Sequence, residues 1–598
     1  MADFPNPQQD PGTERRLLLV FVLTFLVILL SQPLIKKYMP QEKPAAKPSE
    51  TQTTAPPPAS PGPVSSAPAA VPQSRAKAVA PAAPAAEQAS AESETVIEND
   101  LYRITFSNRG AQVKSWILKK FDNEQGKPLE LVDEAAAAKH GYPLSLWTYD
   151  PGLRNKLNSA LYVLTSDPPL QDGKSGGVLP APAKLTFEYA DSDVVVRKTF
   201  RFDHTYVVHV DTSVQVKGSF VDAYPAWPAG FGDETTVAGY HSTEIEHQHD
   251  SDIQRLAIKK ISGNATLQGP FDWAGVSDLY FAAVFLPDNP QDARLITLRN
   301  ALEIPKDPSN PRGETTQVDV LGTAVGMPGA PTSERLFVGP KSLKVLEAVA
   351  VPTIQGAHQD LRDLVDFGFF GVIARPLFIW LQWTYKYVHN WGWAIVLQTF
   401  IITVALLPLR ISQMKSALKM QKAAPQIKAI QEKYKKYTMR DPRKQQMNVE
   451  ISELYKREGV NPIGGCFPMI IQIPFIWAYY KMLAVAIDLR HAHWLWVHDL
   501  SARDPYFLLP IAMVLSMFLI QRITPQAGMD PAQQKMMTVM MPLMMGFLFF
   551  NLAAGLNLYY MESNLISVAQ QMVMNRTGLG REMREMALKR ARKKDKDK

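Results

Sequence analysis

The sequence predicts an α-helical membrane protein with six transmembrane helices, joined to an all-β sandwich domain outside the membrane. Three observations carry that expectation. Long apolar runs cluster after residue 390, and one more lies at the amino end. Residues from about 95 to 351 instead alternate apolar and polar side chains at the strand period. Basic residues concentrate in one loop, Lys415 to Arg457, and in the tail from Arg576 to Lys598. The 598 residues leave room for several domains, and the net charge of +7 hides this uneven distribution. The single cysteine, Cys466, excludes any intrachain disulfide.

Residues 1–38 read as a transmembrane anchor. The apolar run Leu17 to Leu34 follows Arg15 and Arg16, and no small-x-small cleavage site comes soon after it. Residues 39–94 are dominated by Pro, Ala, Ser and Thr, as in TTAPPPASPGPVSS, and are expected to be a disordered linker. Residues 95–351 contain strand patterns such as Leu101 to Ser107 and Tyr206 to Val216, broken by Gly, Pro, Asp and Asn. A β-sandwich is the expected architecture. Residues 352–390 include Phe367 to Val388, an aromatic amphipathic stretch suited to a helix lying in the interface plane.

Residues 391–575 are expected to hold five crossings. These are Trp391 to about Lys415, Ile463 to Ile487, Tyr506 to Ile523, and two within Met536 to Met574 that turn at Asn551 to Asn557. The loop after the first of them carries twelve Lys and Arg residues, whereas the next loop offers only Arg490 and Arg503. The positive-inside rule therefore places the basic loop, both termini and the tail 576–598 in the cytoplasm. In a bacterium the β-domain is then periplasmic and the protein multi-pass in the inner membrane. Within the loop, residues 416–460 read as a helical hairpin, with Ile427, Ile430, Tyr434 and Tyr437 on one helical face.

No phosphate loop, nucleophile elbow or zinc-binding HExxH is present, so neither an enzyme nor a cofactor is expected. His241, Glu244, Glu246, His247, His249 and Asp250 have metal-like composition but read as a polar surface loop, and no metal is assigned. Polar residues inside the spans weigh more, because each is costly in lipid. They are Gln398, Thr399, Thr403, Gln472, Ser516, Gln521, Asn557, Glu562 and Asn564, with Arg410 at the inner mouth. Any one alone reads as a helix–helix hydrogen bond; so many together suggest a shared polar cavity.

The segment Asn461-Pro-Ile-Gly-Gly-Cys-Phe-Pro468 opens an apolar helix that also carries Gln472 and Pro474. It resembles the Asn-Pro-Leu-Gly-Gly-Cys-Phe-Pro signature of the YidC/Oxa membrane-protein insertases. Trp496 to Tyr506, Asp530-Pro-x-Gln-Gln-Lys535 and Gly555-Leu-Asn-Leu-Tyr-Tyr560 are similar to that family as well. The resemblance implies the Gram-negative form, whose periplasmic β-sandwich is similar to sugar-mutarotase folds. It implies a non-enzymatic insertase and chaperone for nascent inner-membrane proteins, working alone or beside the Sec translocon. A hydrophilic groove would take the polar flank of a nascent helix, while its apolar part leaves past Ile473, Pro474, Tyr559 and Tyr560. The family pattern places an arginine where this chain has Thr403 and an aliphatic residue where it has Glu562. On this reading insertion depends on Thr403 more than on Arg410, and Glu562 needs a partner or a proton, Lys481 being the nearest candidate partner by depth. The basic clusters suit lipid headgroups, and the tail suits ribosomal RNA; DNA is not an expected partner. The rival reading is a secondary transporter or channel with a periplasmic sugar-binding domain, which the absence of an internal repeat disfavours.

Overall fold

The computed structural model describes residues 87–169, 177–307, 310, 312–351, 359–437, 441–459, 467–523, 536–578, 581, 582 and 585. The expected anchor, most of the linker, the turn 461–466 and most of the basic tail lie outside these residues.

The strand-period segments form a β-sandwich. Its largest sheet has ten strands, with Phe281–Pro287, Thr332–Pro340, Val207–Val216 and Val194–Phe202 side by side at its centre. Two five-stranded sheets accompany it, one around Gln112–Asp122 and Tyr102–Ser107, the other around the long hairpin Arg294–Pro305 and Thr315–Gly326. In Val207–Val216 alternate side chains are buried, as the sequence pattern requires. Phe281–Pro287 is buried at every position, which suits its place inside the sheet. The core is aromatic, with Trp116 edge-on to Trp227 at 5.8 Å and Phe106 packed between Phe187 and Phe200. Gly322 allows the third sheet to approach Pro228, because a Cβ there would lie 2.5 Å from that backbone. Lys198 is fully buried and donates to the carbonyls of Gly110, Ala111 and Leu144, one acceptor for each ammonium proton.

The β-domain takes in residues expected to be linker. Glu87 exchanges two backbone hydrogen bonds with Ala190, Ala89 bonds Leu161, and Asn108 bonds Ser93. Residues 87–94, read from composition as linker, are therefore held on the β-domain by backbone pairing that composition does not reveal.

The helical module has eight helices among the described residues that the site requires. Helix α1 spans Gly371–Val388 and buries Ala374, Leu377, Phe378 and Leu381. Its other face is strongly apolar yet exposed, with Val372 at 78% and Tyr387 at 67%. His389 at φ 55° ends α1, and the Asn390 side chain caps α2, Trp391–Ala405. The two axes differ by 119°.

The expected span from Trp391 to Lys415 is two helices. It breaks at Leu406, just before Pro408, and resumes as α3, Leu407–Lys433. Proline supplies no N–H and is tolerated in the first turn of a helix, so α3 starts there rather than continuing α2. Helix α2, with 15 residues, is ~22 Å long against a hydrocarbon core of ~30 Å. Among the described residues no single helix is long and apolar enough to cross alone, although α1 and α2 pass that test together.

Helix α4, Pro442–Arg457, is capped by Asp441 and packs back on α3. Tyr434 is buried between them and its hydroxyl donates to Glu450 at 2.6 Å. Ile427, Ile430 and Tyr437 are half-buried on the same side. Helices α5, Phe467–Val485, α6, Leu508–Ile523, α7, Met541–Phe549, and α8, Ala554–Arg576, complete the bundle. The chain turns between α7 and α8 at residues 550–553, overlapping the segment expected to turn, whose last residues instead begin α8.

The loop after α5 is tied to the β-domain. Arg490 lies 3.9 Å from Asp233, both side chains being only 8% exposed. The guanidinium also stands over the rings of Tyr280 and Phe281. His491 Nε2 lies 3.1 Å from the Asp122 carbonyl. Burial and the neighbouring Asp278 charge hold Asp233 well above the usual carboxylate range, with Arg490 opposing them. A carboxyl raised in this way takes up a proton on folding. Its stabilising contribution is complete below the usual carboxylate range and is lost as pH rises through the raised value. We expect stability of the full-length protein, followed by tryptophan fluorescence on heating, to fall as pH rises above the usual carboxylate range. Asp233→Asn should reduce that slope; an unchanged slope would show that Asp233 does not carry it.

Candidate functional site

The polar residues picked out in the apolar segments converge on a seam between helices. Gln398, on α2, is fully buried, and its Nε2 donates to the Leu377 carbonyl of α1 at 2.9 Å. Its Oε1 accepts the Tyr479 hydroxyl of α5, also at 2.9 Å. The Tyr479 ring in turn stacks on Tyr559 of α8, with centroids 4.0 Å apart. One amide and two aromatic rings thus link four helices.

At the next residue of α2, the Thr399 hydroxyl donates to the Ile395 carbonyl at 2.7 Å, and the same hydroxyl neighbours Glu562 of α8. Thr403, one turn on, donates to the Thr399 carbonyl, and its own carbonyl accepts Gln570 Nε2 of α8 at 3.2 Å. On α6, Ser516 donates to the Met513 carbonyl and accepts Asn564 Nδ2 of α8 at 3.2 Å. Asn557 is fully buried at the start of α8 and donates to the carbonyls of Phe549, Leu552 and Ala553. It closes the turn that joins α7 to α8.

These geometries assign roles more narrowly than sequence could. Gln398, Thr399, Thr403, Ser516 and Asn557 are at most 5% exposed, and each has its donors committed within the protein. Arg410 is half-buried on α3, and no carboxylate pairs with it among the described residues. Lys481, expected beside Glu562, instead pairs with Asp366 at 3.4 Å. Its side chain is drawn to the loop before α1, where Gly368 packs against its stem. Tyr559 is buried in the stack with Tyr479, and Tyr560 meets Phe549 edge-on at 4.7 Å. Pro474 is half-buried within α5. The side chains of Gln472 and Ile473 lie outside the described residues.

Tyr479 and Gln570 belong to the seam but were not singled out from the sequence. A tyrosine flanked by another in an apolar helix reads as an interfacial ring, and Gln570 sits in a polar run at the end of its helix. Outside the seam the bundle is apolar and exposed. Phe400 and Val404 on α2, Leu515 on α6 and Phe547 on α7 all point outward, Phe547 at 80% exposure. A polar interior inside an apolar exterior is the arrangement hydrocarbon selects.

The metal-like cluster of the β-domain is divided by the fold. Glu246 pairs with Arg255 at 3.0 Å, and His247 meets the Phe271 ring. His249 stands between the carboxylates of Asp250 and Asp272, at 3.4 and 3.8 Å. Asp272, far from the cluster in sequence, had no signal to mark it.

Comparison with known proteins follows this architecture. Residues 94–380 match the family described as YidC periplasmic domain, and residues 383–581 match the family described as 60Kd inner membrane protein. A membrane protein insertase YidC of Syntrophus aciditrophicus is 31% identical over 577 residues, covering 94% of this chain and 99% of that one. One of Wolinella succinogenes is 36% identical over 403 residues, covering 67% of each chain. A solved active YidC insertase with its first transmembrane domain resolved is 20% identical, over 82% of this chain and 95% of that one, with a TM-score of 0.32. These comparisons give the transporter alternative no support.

The seam makes a stability prediction. Gln398→Leu would leave the buried Tyr479 hydroxyl without its acceptor, costing about 1–3 kcal/mol, and would also remove the second bond to the Leu377 carbonyl. Tyr479→Phe removes one hydroxyl and leaves one acceptor, so its cost should be smaller. Thermal unfolding of the detergent-solubilised protein should rank Gln398→Leu below Tyr479→Phe and both below wild type.

Proposed function

This chain belongs to the YidC family of membrane protein insertases, and from that premise we propose that its helical module inserts nascent helices into the bacterial inner membrane. The observation that carries the reading is the polar seam buried in a bundle whose outer side chains are apolar. Such a bundle can offer hydrogen bonds to a substrate's polar flank while its apolar exterior stays in lipid. A bare charge at the centre of the hydrocarbon costs ~2.5–3.5 kcal/mol on insertion scales, and a route along the seam reduces that cost. The work is binding and passage rather than covalent chemistry.

The finer assignment is part of the same proposal. Six crossings, with both termini and the α3–α4 hairpin in the cytoplasm and the β-domain in the periplasm, follow from the charge asymmetry of the loops. The α1–α2 pair would then place α1 in the outer interface, its exposed apolar face in the acyl boundary. Substrate would enter from the cytoplasmic side past Arg410, meet Glu562 and the seam, and leave along α5 near Pro474. The Sec translocon, and the ribosome through the basic tail, are the partners this reading expects.

Two experiments test it. In a host depleted of its own insertase, this chain should restore insertion of a dependent single-span protein; failure at normal expression would reject the proposal. Within that assay the geometry favours Arg410 over Thr403, contrary to the ranking expected from sequence. The Thr403 hydroxyl is already bonded to its own helix, whereas the Arg410 guanidinium has no ion-pair partner among the described residues. Arg410→Gln should therefore impair insertion more than Thr403→Val at matched expression.

A further inference from the structure

The helices of the bundle differ sharply in which hydrogen-bonding atoms they leave over. Within α1–α8 the buried side-chain atoms without a partner among the described residues are Gln521 Oε1, Asn557 Oδ1, Glu562 Oε2 and Gln570 Oε1. All are oxygens, and all lie on α6 or α8. For Asn557 and Gln570 the assignment of oxygen and nitrogen is fixed by the bonds the nitrogens make. Asn557 Nδ2 faces three carbonyls and Gln570 Nε2 faces the Thr403 carbonyl, none of which can donate. Glu562 presents acceptors only when ionised, the form that a neighbouring Lys or Arg favours. Asn557 to Gln570 spans ~20 Å of α8 at 1.5 Å per residue, so the acceptors are spread along the bundle rather than gathered at one end.

The charges around Glu562 sharpen the asymmetry. Among the described residues no Lys, Arg or His pairs with it, because Lys481 is engaged by Asp366 and Arg490 by Asp233. Arg410 lies beyond the break at Leu406, on α3, at the inner end of the bundle. Its neighbouring hydroxyl, Thr399, donates to Ile395. A buried acceptor left unpaired costs free energy that an arriving donor recovers. Lys and Arg side chains are donors only, whereas ionised Asp and Glu are acceptors only.

We propose that the seam is an acceptor-lined contact selecting substrates whose polar flank donates hydrogen bonds, with Glu562 setting a preference for Lys or Arg over Asp or Glu. Serine and asparagine flanks, which can do both, fall between. This inference rests on the insertase reading and concerns which substrates that same site prefers.

The test uses the purified full-length protein in phosphatidylcholine vesicles, without a membrane potential and without anionic lipid that would itself favour cations. Three versions of one single-span substrate differ only in a flank of Lys, Ser or Asp. Insertion is read as protease-protected fragment above protein-free vesicles. The Lys substrate should insert at least roughly tenfold better than the Asp substrate, since a Lys flank can pair with an ionised Glu562, whereas an Asp flank finds no cation in the seam. Glu562→Gln keeps the side chain's shape and removes its charge, and should bring the ratio to within about threefold of unity. Glu562→Asp keeps the charge and should retain the direction of the preference, which guards against a Gln variant that fails to fold. A wild-type ratio of one or below, or a ratio unchanged by Glu562→Gln in folded protein, would overturn the inference. Failure of all three substrates to insert above protein-free vesicles would instead reject the insertase reading itself.

Discussion

Hydrogen-bond donors placed in hydrocarbon have to be satisfied from within the protein, and the bundle is organised around that requirement. Helix α8 is where it is met. Asn557 closes its turn with α7, Tyr559 stacks on α5, Asn564 reaches Ser516 on α6, and Gln570 reaches the Thr403 carbonyl of α2. Each contact is a modest one, of about 0.6 kcal/mol on average for hydrogen bonds in lipid. Their effect is geometric: helices too short to define a packing register alone are indexed against one longer helix. The 23 residues of α8 extend ~35 Å, which exceeds the hydrocarbon thickness. Helix α2, which breaks at Leu406, is held to α8 on both sides of Thr399.

The same logic changes at the outer surface, where water and protein replace lipid. There the loop after α5 meets the β-domain through a buried ion pair rather than neutral amides. Arg490 faces Asp233, and Asp278 and Glu234 lie close enough to influence that carboxyl. A buried guanidinium with one unpaired nitrogen and, at 3.9 Å, a carboxyl that burial holds protonated to higher pH are weak evidence of net stability. They do fix orientation, because a displaced Arg490 would leave several buried carboxylates without a counter-charge. The β-domain is thereby oriented on the outer loop of the bundle by charge, and within itself by apolar burial.

Much of the fold was legible in the sequence for physical reasons. Strand alternation in Val207–Val216 and the aromatic run of Gly371–Val388 are local periodicities, and local periodicity survives into structure. What was illegible depended on partners distant in sequence. Nothing in the Pro- and Ala-rich composition near Glu87 reports its backbone pairing with Ala190, and nothing near Lys481 reports Asp366. The break at Leu406 was half-legible: Pro408 was visible, but apolar length argued for continuity and outweighed it. In the site, the residue types mark themselves as costly in lipid. Sequence could not say whether each would find its partner inside the bundle or await one from outside.

That last distinction follows from the chemistry of the side chains chosen. A serine or threonine in a helix gives its single proton to the carbonyl three or four residues earlier. Thr384, Thr399, Thr403 and Ser516 all do so here, bonding Trp380, Ile395, Thr399 and Met513. Such a hydroxyl presents only its lone pairs to its neighbours. The amides add to the same bias, since their N–H groups are drawn to helix carbonyls and leave their oxygens over. A bundle made polar by hydroxyls and amides therefore becomes rich in acceptors without any residue being selected for that purpose. A cationic residue at Thr403 would have opposed that bias, whereas Glu562 reinforces it. The polarity of the seam is thus a consequence of how helices satisfy themselves, and the charge at one position decides how strongly a substrate feels it.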